Sequence, residues 1–160
     1  ANGGGITKIG DDNLLMAQSH VAHDCQLGDE IIMANAATLA GHVEIADKAS
    51  IGAYSGVHQF CRIGREAFVG GYSVVVKDAL PFAISQGNHD KCYGLNRVGM
   101  KRKGYPKETI EKLHHAYHLL LNAKLNTTQA VERIEAEIID CKEVTYLLEF
   151  IKSSQRGVVK

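Results

Sequence analysis

Residues 27–45 read LGDEIIMANAATLAGHVEI, and an aliphatic residue stands at every sixth position of this stretch. The same step continues in both directions along the chain, and it does not fail once between Ile9 and Val75. A helix needs apolar residues every three or four positions and a strand every second, so a strict period of six fits neither over a long stretch. The period is typical of short strands joined by tight corners. The residues that keep it are Ile9, Leu15, Val21, Leu27, Met33, Leu39, Ile45, Ile51, Val57, Ile63, Val69 and Val75.

Small residues accompany this aliphatic series. A Gly or Ala usually follows each aliphatic residue, as at Gly28 and Ala34, and a second small residue usually stands near the end of each hexad. Hexapeptide repeats of this kind build a parallel β-helix, in which three hexads, or 18 residues, close one triangular coil. Residues 9–80 therefore predict four stacked coils, 9–26, 27–44, 45–62 and 63–80.

Three hexads that should share one side of the coil carry a cluster of polar residues. Residues 18 apart are expected to lie about one strand spacing, 4.7 to 4.9 Å, from each other on successive coils. The hexads 21–26, 39–44 and 57–62 are related in this way. The residues that they bring together are His23, Asp24, Gly41, His42, His58 and Gln59, with His20 at the corner before them.

This polar side has the composition of a catalytic site. An imidazole titrates near neutrality, so His23 could take a proton from a sugar hydroxyl as a general base. The adjacent Asp24 would hold the tautomer of the ring and stabilise the imidazolium that forms. Gly41 could offer an unshielded backbone N–H to an oxyanion.

Two other functions fit the same residues. Trimeric hexapeptide proteins of the γ-type carbonic anhydrase class gather three histidines around zinc, and a metal titration would distinguish that function. A purely structural trimer is also possible, but it would leave His23 and Asp24 without a purpose.

Composition and charge limit the partners. Acidic and basic residues balance at 18 each, so no overall field favours nucleic acid or stable membrane insertion. No apolar run approaches about 20 residues, and residues 1–5 lack the features of a signal peptide, which favours a cytoplasmic location. Cys25, Cys61, Cys92 and Cys141 are far apart and are predicted to be reduced thiols.

The second half of the chain has a different pattern. The repeat stops at Pro81, and an irregular passage with several glycines begins at Gln86, so we divide the chain into a β-helix, 1–85, and a loop with a helical domain, 86–160. Apolar spacing predicts helices from Pro106, after a cap at Asn126, and around Leu147. Residues 101–103 (KRK) form the densest basic run, which is either a solvated face or a contact for phosphate or an acidic protein.

Several strings in the chain resemble one enzyme family. They are residues 20–25 (HVAHDC), 57–61 (VHQFC), 86–88 (QGN) and 101–104 (KRKG). Together they are similar to the C-terminal three-fifths of the UDP-N-acetylglucosamine O-acyltransferases of Gram-negative bacteria. The resemblance implies a mainly β protein: a left-handed parallel β-helix of hexapeptide repeats followed by a small α-helical C-terminal domain. It also implies a homotrimer with sites between subunits, and no cofactor or metal. The sister UDP-3-O-acylglucosamine N-acyltransferase is the alternative within the pathway.

The resemblance further implies transfer of a (3R)-3-hydroxyacyl group from acyl carrier protein to the 3-hydroxyl of UDP-N-acetylglucosamine, the first step of lipid A synthesis. His23 matches the general base, Asp24 its partner, and Gly41 the residue whose N–H meets the oxyanion. The residues that match substrate-contacting positions are His20, His42, His58, Gln59 and His89 around the sugar and the acyl or pantetheine arm, with Asn96 and Arg102 at the nucleotide.

Gly71 matches the position that limits acyl chain length in the family. By the 18-residue step it should lie over Ala53 and Asn35, beside the side that carries His23. A glycine there predicts a long substrate of the 3-hydroxymyristoyl kind. The alternative is that Gly71 only satisfies a tight corner.

Overall fold

The computed structural model describes residues 4–160, so the first residues examined for signal-peptide features, 1–3, lie outside the described part. Twelve strands of two residues each follow one another at intervals of six residues. They are β1 (Lys8–Ile9), β2 (Leu14–Leu15), β3 (His20–Val21), β4 (Gln26–Leu27), β5 (Ile32–Met33), β6 (Thr38–Leu39), β7 (Glu44–Ile45), β8 (Ser50–Ile51), β9 (Gly56–Val57), β10 (Arg62–Ile63), β11 (Phe68–Val69) and β12 (Val74–Val75).

These strands stack into three parallel sheets, one for each side of the coil. The first sheet has the order β1-β4-β7-β10, and the third has the order β12-β9-β6-β3. Each strand pairs with the strand 18 residues away, as in Ile9 with Leu27 and Leu27 with Ile45. The predicted parallel coil of three hexads is therefore confirmed, and the fold is a parallel β-solenoid followed by helices.

The aliphatic residue of each hexad points into the solenoid. Met33, Leu39 and Ile51 are all at most 1% exposed, and their neighbours in the series form one continuous core cluster. Full burial of such a side chain stabilises the fold by about 1.5 to 3 kcal/mol. In the first coil of residues 4–160, Ile9 and Leu15 remain 47% and 40% exposed.

The corners of the solenoid use a backbone conformation that L-residues rarely adopt. Every sixth residue from Asp12 to Tyr72 has a φ between 55° and 63°, and none of them is glycine. Such a conformation costs roughly 1–2 kcal/mol. Each coil recovers a hydrogen bond at this place, since the corner N–H donates to a carbonyl of the coil before, as from His42 to His23 at 3.1 Å. Asp24, His42 and Phe60 are three of these corner residues, one above another.

The chain leaves the period of 18 after Leu80. Strand β13 (Ala83–Gln86) continues the second sheet by pairing with β11, but Phe68 is opposite Ile84, and β14 (Lys91–Leu95) turns back antiparallel to it. Helix α1 (Arg97–Arg102) follows β14. The passage that we predicted to be irregular from Gln86 therefore contains a strand and a short helix, and that prediction was wrong for those residues.

The remaining helices were predicted. They are α2 (Lys107–Leu121), α3 (Thr127–Glu137) and α4 (Lys142–Lys152). Asn126 caps α3 in a capping box with Gln129, whereas Pro106 is the cap position of α2 and not its first residue. Their apolar faces form a second core cluster, which Leu80 and Phe82 join. The division between residues 85 and 86 stays a prediction, since β13 runs across it.

None of the helices between residues 4 and 160 has the length and apolar character that a membrane span requires. The four cysteines are free thiols. Burial raises the pKa of Cys61 and that of Cys92 to about 11.

Candidate active site

His23 and Asp24 form a hydrogen-bonded pair just after β3. Nδ1 of His23 lies 2.8 Å from Oδ2 of Asp24, and the backbone N–H of Gly5 donates to Oδ1 of the same carboxylate at 2.7 Å. The side chain of His23 is 70% exposed, and that of Asp24 is 11% exposed. The carboxylate is thus held from two sides, while the ring of His23 stays open to a substrate. The contact fits the tautomer that carries its proton on Nδ1 and leaves the lone pair of Nε2 free.

The electrostatics of Asp24 suit an orienting partner. The hydrogen bond from His23 is the main reason that the pKa of Asp24 lies below its usual value. Partial desolvation opposes this shift, and the Gly5 N–H and the charge of His42 lower the pKa further. Asp24 is therefore ionised near neutral pH and can stabilise an imidazolium beside it.

Gly41 lies directly against the ring of His23. A Cβ at this position would lie 2.7 Å from both Cε1 and Nε2 of His23, so any side chain would collide with the ring. The backbone of Gly41 is not in the left-handed region. The requirement for glycine is therefore one of space next to the free nitrogen of His23.

His42 and Phe60 complete this corner. Nε2 of His42 is 3.9 Å from Oδ2 of Asp24, and the rings of His23 and His42 meet edge to face with centroids 5.1 Å apart. Phe60 stacks on the other face of His42 at 4.7 Å. A cavity of about 350 Å³ opens beside Asp24, His42 and Phe60 and reaches Asp78.

Sequence analysis missed Phe60 as a site residue. Its signal was present, because Phe60 lies 18 residues after His42, but an exposed aromatic ring suggests no chemistry by itself. Gly5 was also missed, since nothing in its sequence context relates it to Asp24.

The other predicted histidine-side residues are exposed around this corner. His58 places Nδ1 3.1 Å from the carbonyl oxygen of Gln59, and His20 begins β3. Among residues 4–160, no described hydrogen bond or ring contact joins these three residues to His23. The group of possible metal ligands in that range contains His23, Asp24 and His42, which is two histidines and a carboxylate, not three histidines. The roles of His20, His58 and Gln59 stay predictions.

The predicted nucleotide residues lie on α1. The side chain of Asn96 accepts a hydrogen bond from the N–H of Gly99 at 2.9 Å and so caps the helix. Arg102 is exposed in the last turn. Lys103, the next residue, pairs at 3.1 Å with Glu66, whose side chain is only 5% exposed.

His89 is exposed at the start of β14, next to a buried acid that the sequence did not indicate. Asp90 is 8% exposed, and neither of its carboxylate oxygens has a hydrogen-bond partner within residues 4–160. Burial raises the pKa of Asp90 to about 6. Both residues line a cavity that the end of the described chain also borders.

Gly71 has the space that a side chain would need. A Cβ there would lie 3.3 Å from the carbonyl oxygen of Ala53, which confirms the predicted stacking over Ala53, and its backbone is not in the left-handed region. Its neighbours differ, because a Cβ at Gly70 would lie 2.7 Å from Cγ of Gln86, and one at Gly52 would lie 2.4 Å from the nitrogen of Gly71.

Comparison with known proteins gives one answer. A family model described as UDP-N-acetylglucosamine O-acyltransferase, domain 2, matches residues 78–159. The acyl-(acyl-carrier-protein)–UDP-N-acetylglucosamine O-acyltransferase of Anaeromyxobacter sp. strain K is 42% identical over 160 residues, and the enzyme of the same name from Aliivibrio salmonicida is 45% identical over 156 residues. These matches cover 100% and 98% of this chain but 62% and 60% of the two relatives.

Solved structures agree with the sequence comparison. The structure of LpxA from Acinetobacter baumannii superposes with a TM-score of 0.93 at 42% identity, over 96% of this chain and 60% of that one. The UDP-N-acetylglucosamine O-acyltransferase of Moraxella catarrhalis gives a TM-score of 0.91 at 42% identity, over 99% and 62%. The chain spans about three-fifths of the length of these relatives, and on these matches it belongs to the UDP-N-acetylglucosamine O-acyltransferase family.

Proposed function

We propose that this chain carries the catalytic residues of an enzyme that transfers a (3R)-3-hydroxyacyl group from acyl carrier protein to the 3-hydroxyl of UDP-N-acetylglucosamine. This reaction would be the first step of lipid A synthesis. The observation that carries the proposal is the pair formed by His23 and Asp24, with Gly41 against the free nitrogen of the ring. The names of the relatives supply the substrates.

The geometry supports a general-base mechanism. Nε2 of His23 takes the proton from the sugar hydroxyl while its oxygen attacks the thioester carbonyl. The imidazolium that forms keeps its hydrogen bond to the ionised Asp24 at 2.8 Å. The backbone N–H of Gly41 is placed to donate to the oxyanion, and collapse of the intermediate expels the pantetheine thiolate, which receives the proton from His23.

The remaining contacts follow from the family resemblance. His20, His42, His58, Gln59 and His89 would surround the sugar and the acyl or pantetheine arm. Of these residues, His42 has direct support, because it borders the cavity beside Asp24. Asn96 and Arg102 would contact the nucleotide, and the exposure of Arg102 leaves it free to do so.

We also propose the assembly and the location that the family implies. The enzyme would be a homotrimer with substrates bound between subunits, a cyclic symmetry that is common among homo-oligomers. It would act in the cytoplasm, where acyl carrier protein and the sugar nucleotide would be available to it. The high exposure of His23 on one chain, 70%, fits a site that a neighbouring subunit completes.

Replacement of His23 tests the function. In the full-length enzyme, His23→Ala should lower turnover by about 10² to 10⁴, the usual contribution of a general base. Product formation from UDP-N-acetylglucosamine and 3-hydroxyacyl carrier protein would be measured, with circular dichroism to confirm folding. His115→Ala is the matched control, because this exposed histidine pairs only with Glu137 in the described part of the chain. Turnover of His23→Ala within about threefold of wild type would rule out its role as the base.

A further inference from the structure

The corner that carries the site also brings three possible metal ligands together. One ligand atom each from His23, Asp24 and His42 lies within 4.8 Å of the other two. Nδ1 of His23 is 2.8 Å and Nε2 of His42 is 3.9 Å from Oδ2 of Asp24. Tetrahedral zinc with bonds of about 2.0 to 2.1 Å needs ligand atoms about 3.3 Å apart. An ion would therefore require each of these distances to change by only about half an ångström.

The scaffold fixes two of these ligands and leaves the third adjustable. Asp24 and His42 are corner residues, and the N–H of His42 is tied to the previous coil at 3.1 Å. The ring of His42 is stacked on Phe60, and its side chain is 17% exposed. The side chain of His23 is 70% exposed, so it can rotate toward an ion, and the open side leaves room for water as a fourth ligand.

The chemistry of the donors selects the class of cation. Two imidazole nitrogens and one carboxylate oxygen suit zinc and its neighbours in the first transition row, whereas magnesium and calcium prefer oxygen ligands alone. Three protein ligands with one open position is the arrangement of exchangeable zinc sites rather than closed structural ones.

We propose that His23, Asp24 and His42 bind a zinc-class divalent cation reversibly and that the bound ion stops acyl transfer. The inhibitory part rests on the proposed function. An ion between His23 and Asp24 takes the place of the proton on Nδ1, and the neutral ring then carries its proton on Nε2. The lone pair that would accept the proton of the sugar hydroxyl is then no longer present. The ion and the substrate hydroxyl also compete for the same corner.

Binding can be measured without substrates. The metal-free full-length protein would be titrated with Co²⁺, whose visible absorption reports nitrogen and oxygen ligands in a tetrahedral site, and the signal would then be displaced with Zn²⁺. We expect saturation by one ion per chain. His42→Gln should weaken binding at least about tenfold, since ligand-site changes of this kind commonly cost 10- to 100-fold. His115→Gln, which removes an exposed histidine outside the cluster, should bind like wild type.

Two outcomes would overturn the site: no visible absorption on titration, or equal affinity in His42→Gln and His115→Gln. Circular dichroism of both variants excludes misfolding as the cause of a loss. A separate assay tests inhibition, in which Zn²⁺ should lower turnover of the wild-type enzyme and a chelator should restore it. Full activity at saturating Zn²⁺ would overturn the inhibitory part alone. Absence of transfer in metal-free enzyme would count against the proposed function and leave the binding result unaffected.

Discussion

At the scale of single residues, the adjacent glycines 70 and 71 separate two roles that the sequence cannot distinguish. Gly70 is fixed by packing against Gln86, whereas a side chain at Gly71 needs Ala53 to move by only a few tenths of an ångström. Gly71→Met should therefore fold and fill the far end of an acyl groove. Because each buried methylene contributes about 0.8 kcal/mol, preference should switch to a shorter 3-hydroxyacyl chain. Mass spectrometry of products from a mixed carrier-protein pool, made with full-length enzyme, would show the switch.

The control for this prediction is Gly70→Ala, which should lower stability without changing the preferred chain length. Equal loss of activity on all lengths in Gly71→Met would show that Gly71 serves only the corner. The comparison also shows what sequence can predict at this scale. The 18-residue step placed His23 beside Gly41 and Asp24 beside His42, because the coil repeats strictly. It could not predict the hydrogen bond from Gly5 to Asp24, which depends on the path of the chain outside the repeat.

At the scale of elements, prediction succeeded where burial is periodic and failed where pairing is not. The twelve solenoid strands and helices α2 to α4 follow apolar patterns that the sequence displays directly. Strand β14 and helix α1 do not. β14 exists because β13 pairs with β11 at an offset of 16 residues, outside the period, and α1 is a six-residue helix that depends on the cap from Asn96. Tertiary contacts decide both.

Helix α1 also divides the basic run, which the sequence presents as one unit. Lys101 and Arg102 are exposed in its last turn, while Lys103 pairs with Glu66, which also accepts a hydrogen bond from the hydroxyl of Tyr105 at 2.8 Å. Lys101→Ala with Arg102→Ala should raise the KM for both anionic substrates and flatten its salt dependence. Lys103→Ala should instead cost about 1 to 3 kcal/mol of stability, because it removes the cation from a buried carboxylate.

Steady-state kinetics at low and high salt, together with urea unfolding, would separate these two effects. An unchanged KM for the double variant at low salt would mean that Lys101 and Arg102 are only a solvated face. A Lys103→Ala variant as stable as wild type would mean that Glu66 does not need its partner.

At the scale of the whole molecule, one ion pair joins two separate cores. The solenoid and the helices have their own buried clusters, and Arg62 on β10 reaches from one to the other. Its guanidinium lies 2.9 Å from Asp78, which is 1% exposed, and donates to the carbonyl oxygen of Phe150 at 2.8 Å and to the hydroxyl of Ser153 at 3.0 Å. It also lies over the ring of Phe150 at 4.4 Å.

We expect this pair to make the solenoid and α4 unfold together. Asp78→Ala leaves the guanidinium of Arg62 without its carboxylate, and breaking a buried pair in this way costs about 3 to 5 kcal/mol. Arg97→Ala removes an exposed pair with Glu111 and should cost less than about 1 kcal/mol. Hydrogen exchange in urea, followed on peptides of β10 and α4, should show one common opening in wild type and in Arg97→Ala. In Asp78→Ala, α4 should lose protection at lower urea than β10, because the contacts that transmit stability from the solenoid to the helix have been removed. If α4 and β10 still open together in that variant, apolar packing around Leu80 and Phe82 is sufficient to couple the two cores.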